Sequence, residues 1–206
     1  MRRNDRSHSP KYALRGKRDR ALLLFAWASG GRRRSEVAAA DMKFLKKIGP
    51  GEFSYELAHS KTNQSGADRP ENHKPVAGAA GEALQAWLEA SHIREGALFR
   101  RVLKGGKLGA ALSAPAVRDI VNMRCILAGL DGAFSAHSLR SGFVTEAMAH
   151  QLPLSETMAM TGHRSAGSVL AYARVRDALL FHARALFDVS PAAEDGASAH
   201  PSTKMV

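Results

Sequence analysis

Apolar residues recur every three to four positions along most of the chain, a spacing that lets one face of an α-helix be buried. A pair of glycines at 30–31 ends the first such helix, whose apolar run covers residues 21–28. Phe53, Tyr55 and Leu57 alternate with polar neighbours instead, which predicts a strand. The predicted helices cover residues 19–28, 37–40, 81–92, 113–126, 138–150, 154–160, 166–173 and 176–187.

The polar stretch 61–72 follows the predicted strand and contains glycine and proline, as is typical of a hairpin connection. It leads to a second short strand near residues 74–77. Helices therefore dominate, and the strands are few and adjacent in the chain. The pattern predicts an α+β fold that is mostly α-helical, with a small antiparallel β-hairpin or sheet.

The two ends of the chain differ from its middle. Residues 1–16, rich in Arg and with two serines, are predicted to form a flexible basic arm. Asp19 is then placed to cap the first helix. Residues 17–188 are predicted to form one domain. Residues 189–206, rich in Ala, Ser and Pro, are predicted to form a disordered tail.

The charge is strongly positive and unevenly distributed. The 206 residues carry a formal net charge of +11, of which +6 lies in residues 1–20 and +4 in residues 21–47. A localised basic segment is typical of proteins that contact the phosphates of nucleic acid. The alternative is a solvated basic tail, and charge by itself does not separate the two.

Cysteine content and hydropathy exclude several other classes. The single cysteine excludes an internal disulfide framework and a multi-cysteine zinc site. The longest apolar run, residues 21–28, is far too short to cross a bilayer, and no signal-peptide core follows the basic start. These observations predict a cytoplasmic protein that binds nucleic acid and no membrane.

Three segments carry candidate chemistry: GGRRRSEV at residues 30–37, AHSLRSGFVTEAM at 136–148 and TGHRSAGSVLAYARV at 161–175. In this order they resemble the tyrosine recombinase (phage integrase) family, whose motifs are G-x-R-x-S-E, H-x-x-R, and G-H followed nine residues later by a tyrosine. The family also carries a lysine in a β-hairpin after the first motif. The resemblance spans about residues 16–175. The site residues that it implies are Arg33, Lys61, His137, Arg140, His163 and Tyr172.

The resemblance implies a catalytic-domain fold of the tyrosine recombinase type and a division of roles. A phosphodiester repels nucleophiles because it is negatively charged, so Arg33 and Arg140 would bind its non-bridging oxygens. Tyr172 would attack phosphorus and form a 3′-phosphotyrosyl ester, which requires a base or a strongly cationic site because a tyrosine hydroxyl has a pKa near 10 in water. Since that ester conserves the energy of the broken bond, rejoining needs no metal and no cofactor.

The remaining residues would move protons and position the phosphate. In the family the hairpin lysine, here Lys61, protonates the leaving 5′-oxygen. His137 would serve as general base or proton relay to the tyrosine, and His163 would hydrogen-bond a phosphate oxygen. Lys74, at the far side of the hairpin, is a second candidate for the lysine.

The first motif contains three consecutive arginines, and the sequence leaves open which of them faces the pocket. Arg32 stands where the family usually has an apolar residue, and Arg33 is flanked on its other side by Arg34. A shift of one residue turns a helix by about 100°, so only one of the three is expected in the pocket. Glu36 is expected to make a structural hydrogen bond, for which an arginine is a candidate partner, rather than to take part in the chemistry.

The function implied is a site-specific DNA recombinase or integrase catalytic domain that binds double-stranded DNA and associates with itself on DNA. Only 32 residues precede Arg33, too few for the helical core-binding domain that usually comes first in the family. Two alternatives stay open: a non-catalytic DNA-binding remnant of an integrase, and an enzyme like type IB topoisomerases.

Overall fold

The computed structural model describes residues 10–57, 72–130, 132, 134 and 136–172. The helices are α1 (Pro10–Ala28), α2 (Arg34–Ala38), α3 (Gly78–Ser91), α4 (Ala114–Leu127), α5 (Ala136–Ala149) and α6 (Leu154–Thr161). The strands are β1 (Leu45–Gly49), β2 (Glu52–Glu56), β3 (His73–Val76), β4 (Arg100–Val102) and β5 (Leu108–Ala111). Residues 166–172 are also helical. The prediction of a mostly helical α+β fold is confirmed.

Two small antiparallel sheets accompany the helices. The first has the order β1-β2-β3 and includes the predicted pairing of β2 with β3, in which Tyr55 faces Lys74. The second pairs β4 with β5. The sequence did not predict β1, β4 or β5. The three central residues of β1 are all exposed, so this strand lacks the alternation on which a strand prediction depends.

Helix α1 begins earlier than predicted. It starts at Pro10, which suits the first position of a helix because its missing N–H has no helical partner there. Residues 10–16 are therefore helical, and the predicted start of this helix, at residue 19, is nine residues too late. Asp19 does not cap the helix. Its carboxylate accepts hydrogen bonds of 2.6 Å from Arg18 and from Arg124, and the second of these joins α1 to α4.

Helix α1 packs along α3, and the core lies between them and the two sheets. Trp87 of α3 is fully buried and donates its indole N–H to the carbonyl of Leu98 at 2.9 Å. Phe25 of α1 meets the rings of Tyr55 and Phe99 edge-on, with centroids 4.9 and 5.5 Å away. Within the described ranges, no helix is long and apolar enough to cross a membrane.

Several predicted segments fall outside these ranges. They are residues 1–9 of the arm, most of the hairpin connection with Lys61, the helix 176–187 and the tail 189–206.

Candidate active site

The two glycines after α1 bring distant parts of the chain together. Gly30 and Gly31 have φ values of +96° and +67°, which side chains rarely allow. A Cβ atom on Gly30 would overlap the carbonyl of Met160 in α6, and one on Gly31 would overlap the Cα of Arg140 in α5. The backbone can therefore run directly against both helices only because these positions carry no side chain. The start of α2 is thereby placed beside α5 and the end of α6.

Arg33 is the N-cap residue of α2, and its conformation is fixed by Glu36. The backbone N–H of Arg33 donates to Glu36 Oε2 at 3.0 Å, and its Nη1 donates to Oε1 at 3.0 Å. The Glu36 side chain is 9% exposed and that of Arg33 39%. The expected hydrogen bond between Glu36 and an arginine is confirmed, and the guanidinium of Arg33 is held while still open to solvent.

The two neighbours of Arg33 have opposite environments. Arg32 is 2% exposed, and its Nη2 donates to the carbonyl of Met160. Burial lowers the pKa of Arg32 to about 10, although Glu36, whose carboxylate lies 3.8 Å away, opposes the shift. Arg34 is exposed. Arg32 is thus directed into the protein interior towards α6, and Arg33 is the half-exposed arginine of the three.

Helix α5 contributes two residues one turn apart, His137 and Arg140. Arg140 is 2% exposed, and it donates through Nη1 to the carbonyl of Gly31 at 3.5 Å and through Nε to His163 Nε2 at 3.3 Å. Its Nη2 is buried and meets no acceptor among the described residues. Burial and the nearby charge of Arg33 lower the pKa of Arg140. A buried guanidinium donor without a hydrogen-bond partner is costly. An anion that accepts a hydrogen bond from this atom would remove that cost, so Arg140 Nη2 is a candidate anion-binding group.

His163 follows directly after α6, which ends at Gly162 in a left-handed conformation. Thr161 Oγ1 donates to the carbonyl of Thr157 at 2.7 Å and lies 2.7 Å from His163 Nδ1. Because the hydroxyl hydrogen of Thr161 is donated to Thr157, its oxygen can only accept a hydrogen bond from His163. The imidazole proton is therefore assigned to Nδ1. Nε2 then accepts from Arg140. Burial, followed by the charges of Arg140 and Arg33, lowers the pKa of His163 to about 4, which keeps the free site's imidazole neutral.

Tyr172 lies between the two histidines. Its hydroxyl oxygen is 3.3 Å from His137 Nε2, and its ring centroid is 6.1 Å from that of each histidine, His137 and His163. Tyr55 offers a contrast, because it is buried in the core and accepts a hydrogen bond from the backbone of Asp41. Burial raises the pKa of Tyr55 to about 12, so its hydroxyl is a poor nucleophile.

The two candidate lysines differ in what the structure describes. Lys61 lies outside the described residues. Lys74, on β3, is 3% exposed, and its Nζ donates to the carbonyl of Ala159 at 2.6 Å. The contacts of Lys74 and Arg32 with α6 were missed by sequence reasoning. The only sequence signal was an arginine at position 32, where the resemblance leads one to expect an apolar residue.

Together these positions form a cationic pocket with a tyrosine hydroxyl at its edge, on a helical fold with a small antiparallel sheet. Fold and pocket together indicate the tyrosine recombinase class. Comparison with known proteins agrees, because residues 7–178 match the Phage integrase family. The chain belongs to that family.

One curated relative supports the same conclusion, and two solved structures share the fold. An "Integrase/recombinase xerD homolog" of Selenomonas ruminantium is 35% identical over 164 residues, which cover 77% of this chain and 48% of the relative. The crystal structure of XerA recombinase is similar with a TM-score of 0.60 at 15% identity, covering 93% of this chain and 66% of that one. The post-cleavage complex of XerH with palindromic difH substrate has a TM-score of 0.60 at 18% identity, with coverages of 91% and 53%.

The predicted fold is confirmed by these structural neighbours. The chain spans about half the length of the curated relative that it matches.

Proposed function

We propose that this chain is the catalytic unit of a site-specific DNA recombinase, which cuts and rejoins double-stranded DNA through a 3′-phosphotyrosyl intermediate. The observation that carries the proposal is the position of the Tyr172 hydroxyl, 3.3 Å from His137 Nε2 and beside a pocket where Arg140 keeps a buried donor without a partner. A nucleophile, a base and an anion site are thus adjacent.

In this proposal the scissile phosphate binds between Arg140 and Arg33. Arg140 Nη2 gains the acceptor that it lacks in the free protein, and Arg33 adds a second guanidinium from α2. Both stabilise the charge that grows on the non-bridging oxygens in the transition state. The incoming negative charge also favours a protonated imidazole. His163 then takes a proton from solvent at Nε2, gives up the hydrogen bond that this atom accepts from Arg140 Nε, and donates to a phosphate oxygen instead.

Bond making and breaking follow from the same positions. The Tyr172 oxygen attacks phosphorus, His137 takes the phenolic proton, and the bond from phosphorus to the 5′-oxygen breaks. We assign protonation of that oxygen to Lys61, on the strength of its sequence context. Lys74 suits this role poorly because its ammonium is buried against the carbonyl of Ala159. Rejoining is the reverse reaction, and it needs no metal or cofactor.

Double-stranded DNA is the proposed partner, and the proposed place of action is the cytoplasm. A palindromic substrate presents the same half-site twice, so a recombinase that uses one brings two copies of itself to the DNA. The XerH neighbour was solved with such a substrate. We extend self-association on DNA to this chain by analogy.

The test is covalent trapping on nicked duplexes of randomised sequence, from which the short 5′-hydroxyl fragment diffuses away after cleavage. The wild-type chain should form an adduct that survives denaturation, with the DNA attached to Tyr172 by mass spectrometry. Tyr172→Phe should lose the adduct and keep DNA binding, whereas Tyr55→Phe should keep both. No adduct with the wild-type chain, despite DNA binding, would favour a non-catalytic remnant. Relaxation of plasmids at no defined site would favour topoisomerase chemistry.

A second experiment assigns the lysine. A substrate whose 5′-bridging oxygen is replaced by sulfur has a leaving group that needs no proton, because a thiolate is far less basic than an alkoxide. This substrate should restore cleavage to Lys61→Ala and leave Lys74→Met slow. The opposite pattern would show that Lys74 is the proton donor.

A further inference from the structure

The last turn of α6 is held by two cations that are almost completely buried. Arg32 donates to the carbonyl of Met160, and Lys74 donates to the carbonyl of Ala159 at 2.6 Å. The two side chains are 2% and 3% exposed. They come from different parts of the fold, one from the turn before α2 and one from β3. Two consecutive carbonyls at one helix end are thus bound from two directions.

Burial of two positive charges has a cost that the contacts must offset. The last four carbonyls of a helix lack helical partners, and the negative end of the helix dipole lies there. Arg32 and Lys74 supply donors to two of these carbonyls and place positive charge where the dipole favours it. The result is a helix end whose position is defined by the neighbouring elements.

This helix end carries a residue of the pocket. Gly162 closes α6 through its N–H, which donates to Met158 at 2.7 Å, and His163 is the next residue. Thr161, in the same turn, holds the imidazole through Nδ1. A displacement of the last turn therefore moves His163 with it. Errors of about 1 Å in the position of a catalytic group can cost about 100-fold in rate.

We propose that Arg32 and Lys74 are positioning residues that hold the end of α6 so that His163 meets the scissile phosphate. The proposal rests on the proposed function for its catalytic consequence. Neither side chain touches the reacting atoms in this assignment. Arg32 also adds charge near the pocket, since it is among the groups that lower the pKa of His163.

The experiment compares Arg32→Leu, which removes the donor and the charge, with Arg32→Lys, which keeps a charged donor, and with Lys74→Met. Each is assayed for adduct formation at saturating DNA, for DNA affinity, and for the protonation and tautomer of His163 by nitrogen-15 NMR of the free chain, with His163→Gln identifying the signal. Arg34→Leu controls for loss of an exposed arginine. Val117→Ala, in the core at α4, controls for lost stability because it opens a cavity in the main core cluster, which contains no residue of α6.

We expect Arg32→Leu and Lys74→Met to slow adduct formation by about 10- to 100-fold, with DNA affinity little changed. Both should disturb the Nδ1–H tautomer of His163, and Arg32→Lys should restore most of the rate and the signal. Val117→Ala should lower the melting temperature without slowing cleavage. The proposal would be overturned if Arg32→Leu and Lys74→Met formed the adduct at the wild-type rate. It would also be overturned if Val117→Ala, at the same melting temperature as these two variants, lost as much of the rate.

The NMR readout separates this inference from the proposed function. If the wild-type chain forms no adduct, the proposed function fails and the inference is judged on His163 alone. The inference would then be overturned if the tautomer and titration of His163 were unchanged in Arg32→Leu and Lys74→Met. It would be supported if both variants disturbed the tautomer and Arg32→Lys restored it.

Discussion

Glu36 is the carboxylate that holds two arginines at the start of α2, and Glu36→Gln should show what that charge contributes. The side chain accepts from Arg33 twice at 3.0 Å and lies 3.8 Å from Arg32. Glutamine has nearly the same shape, and its amide oxygen can still accept one of these hydrogen bonds. The substitution therefore removes mainly the negative charge from a cluster of cations.

The loss of stability expected for Glu36→Gln depends on how far Arg32 and Arg33 are exposed to solvent. A hydrogen bond to a charged group contributes about 1.5–3 kcal/mol. Leaving a buried charge without its partner costs about 3–5 kcal/mol. Arg32 is buried, but its contact with Glu36 is long, and Arg33 is partly screened by solvent. We therefore expect a loss of about 2–3 kcal/mol. In a domain of this size that lowers the melting temperature by about 4–12 °C.

Thermal unfolding by circular dichroism measures this loss, with Glu82→Gln as the matched control on the exposed face of α3. Inorganic sulfate should recover more stability in Glu36→Gln than in the wild-type chain, because an anion can replace the lost charge beside Arg33. If Glu36→Gln melts at the temperature of Glu82→Gln, the carboxylate does not hold the arginines and the reasoning is refuted.

Three further predictions follow from the site and the charge distribution. Gly31→Ala should destabilise the fold by more than the roughly 1 kcal/mol that alanine costs in a left-handed backbone conformation, because the added Cβ would also overlap Arg140. A free energy of unfolding in urea equal to that of the wild type would contradict this close approach. The pKa of His163 lies near 4 in the fold against an ordinary 6.5, so the unfolded chain takes up the proton first and stability falls as the pH drops between these values. Melting temperatures of His163→Gln should vary less over that range, and parallel curves would contradict the shift. Deletion of residues 1–9, which hold three arginines and one aspartate, should flatten the salt dependence of DNA affinity by at most about 0.9 per lost phosphate contact. An unchanged slope would mean that these residues do not touch DNA.

Local patterns were sufficient for much of the fold. The serine at 113, followed by a proline in the first helical turn, predicted the start of α4, and Ser113 accepts the N–H of Ala116 there. The predicted helix 138–150 corresponds to α5, which begins two residues earlier than predicted, at Ala136. These predictions depend on neighbours within about one helical turn, where sequence spacing and spatial distance agree.

Long-range partners could not be predicted from such patterns. The sequence predicts Asp19 as a helix cap because nothing near it in the chain indicates its partner Arg124, which is 105 residues away. The acceptors of Arg32 and Lys74 are backbone carbonyls, which every residue has and no sequence motif marks. The register of the first motif was left open for the same reason, since burial of Arg32 depends on the position of α6.

The glycine turn after α1 also has a consequence for how the molecule folds. The pocket depends on contacts between residues that are far apart in the chain. Gly31 is separated from Arg140 by 109 positions, and Arg32 is separated from Met160 by 128. Closing such loops is slow, and its entropic cost must be met before the contacts form. We expect amides of α6 to exchange hydrogen through partial openings that leave Trp87 protected, and uniform protection would contradict this. A chain in which α5 and α6 have not yet docked on the core of α1 and α3 therefore has no complete pocket and, in the proposed function, no cleavage activity.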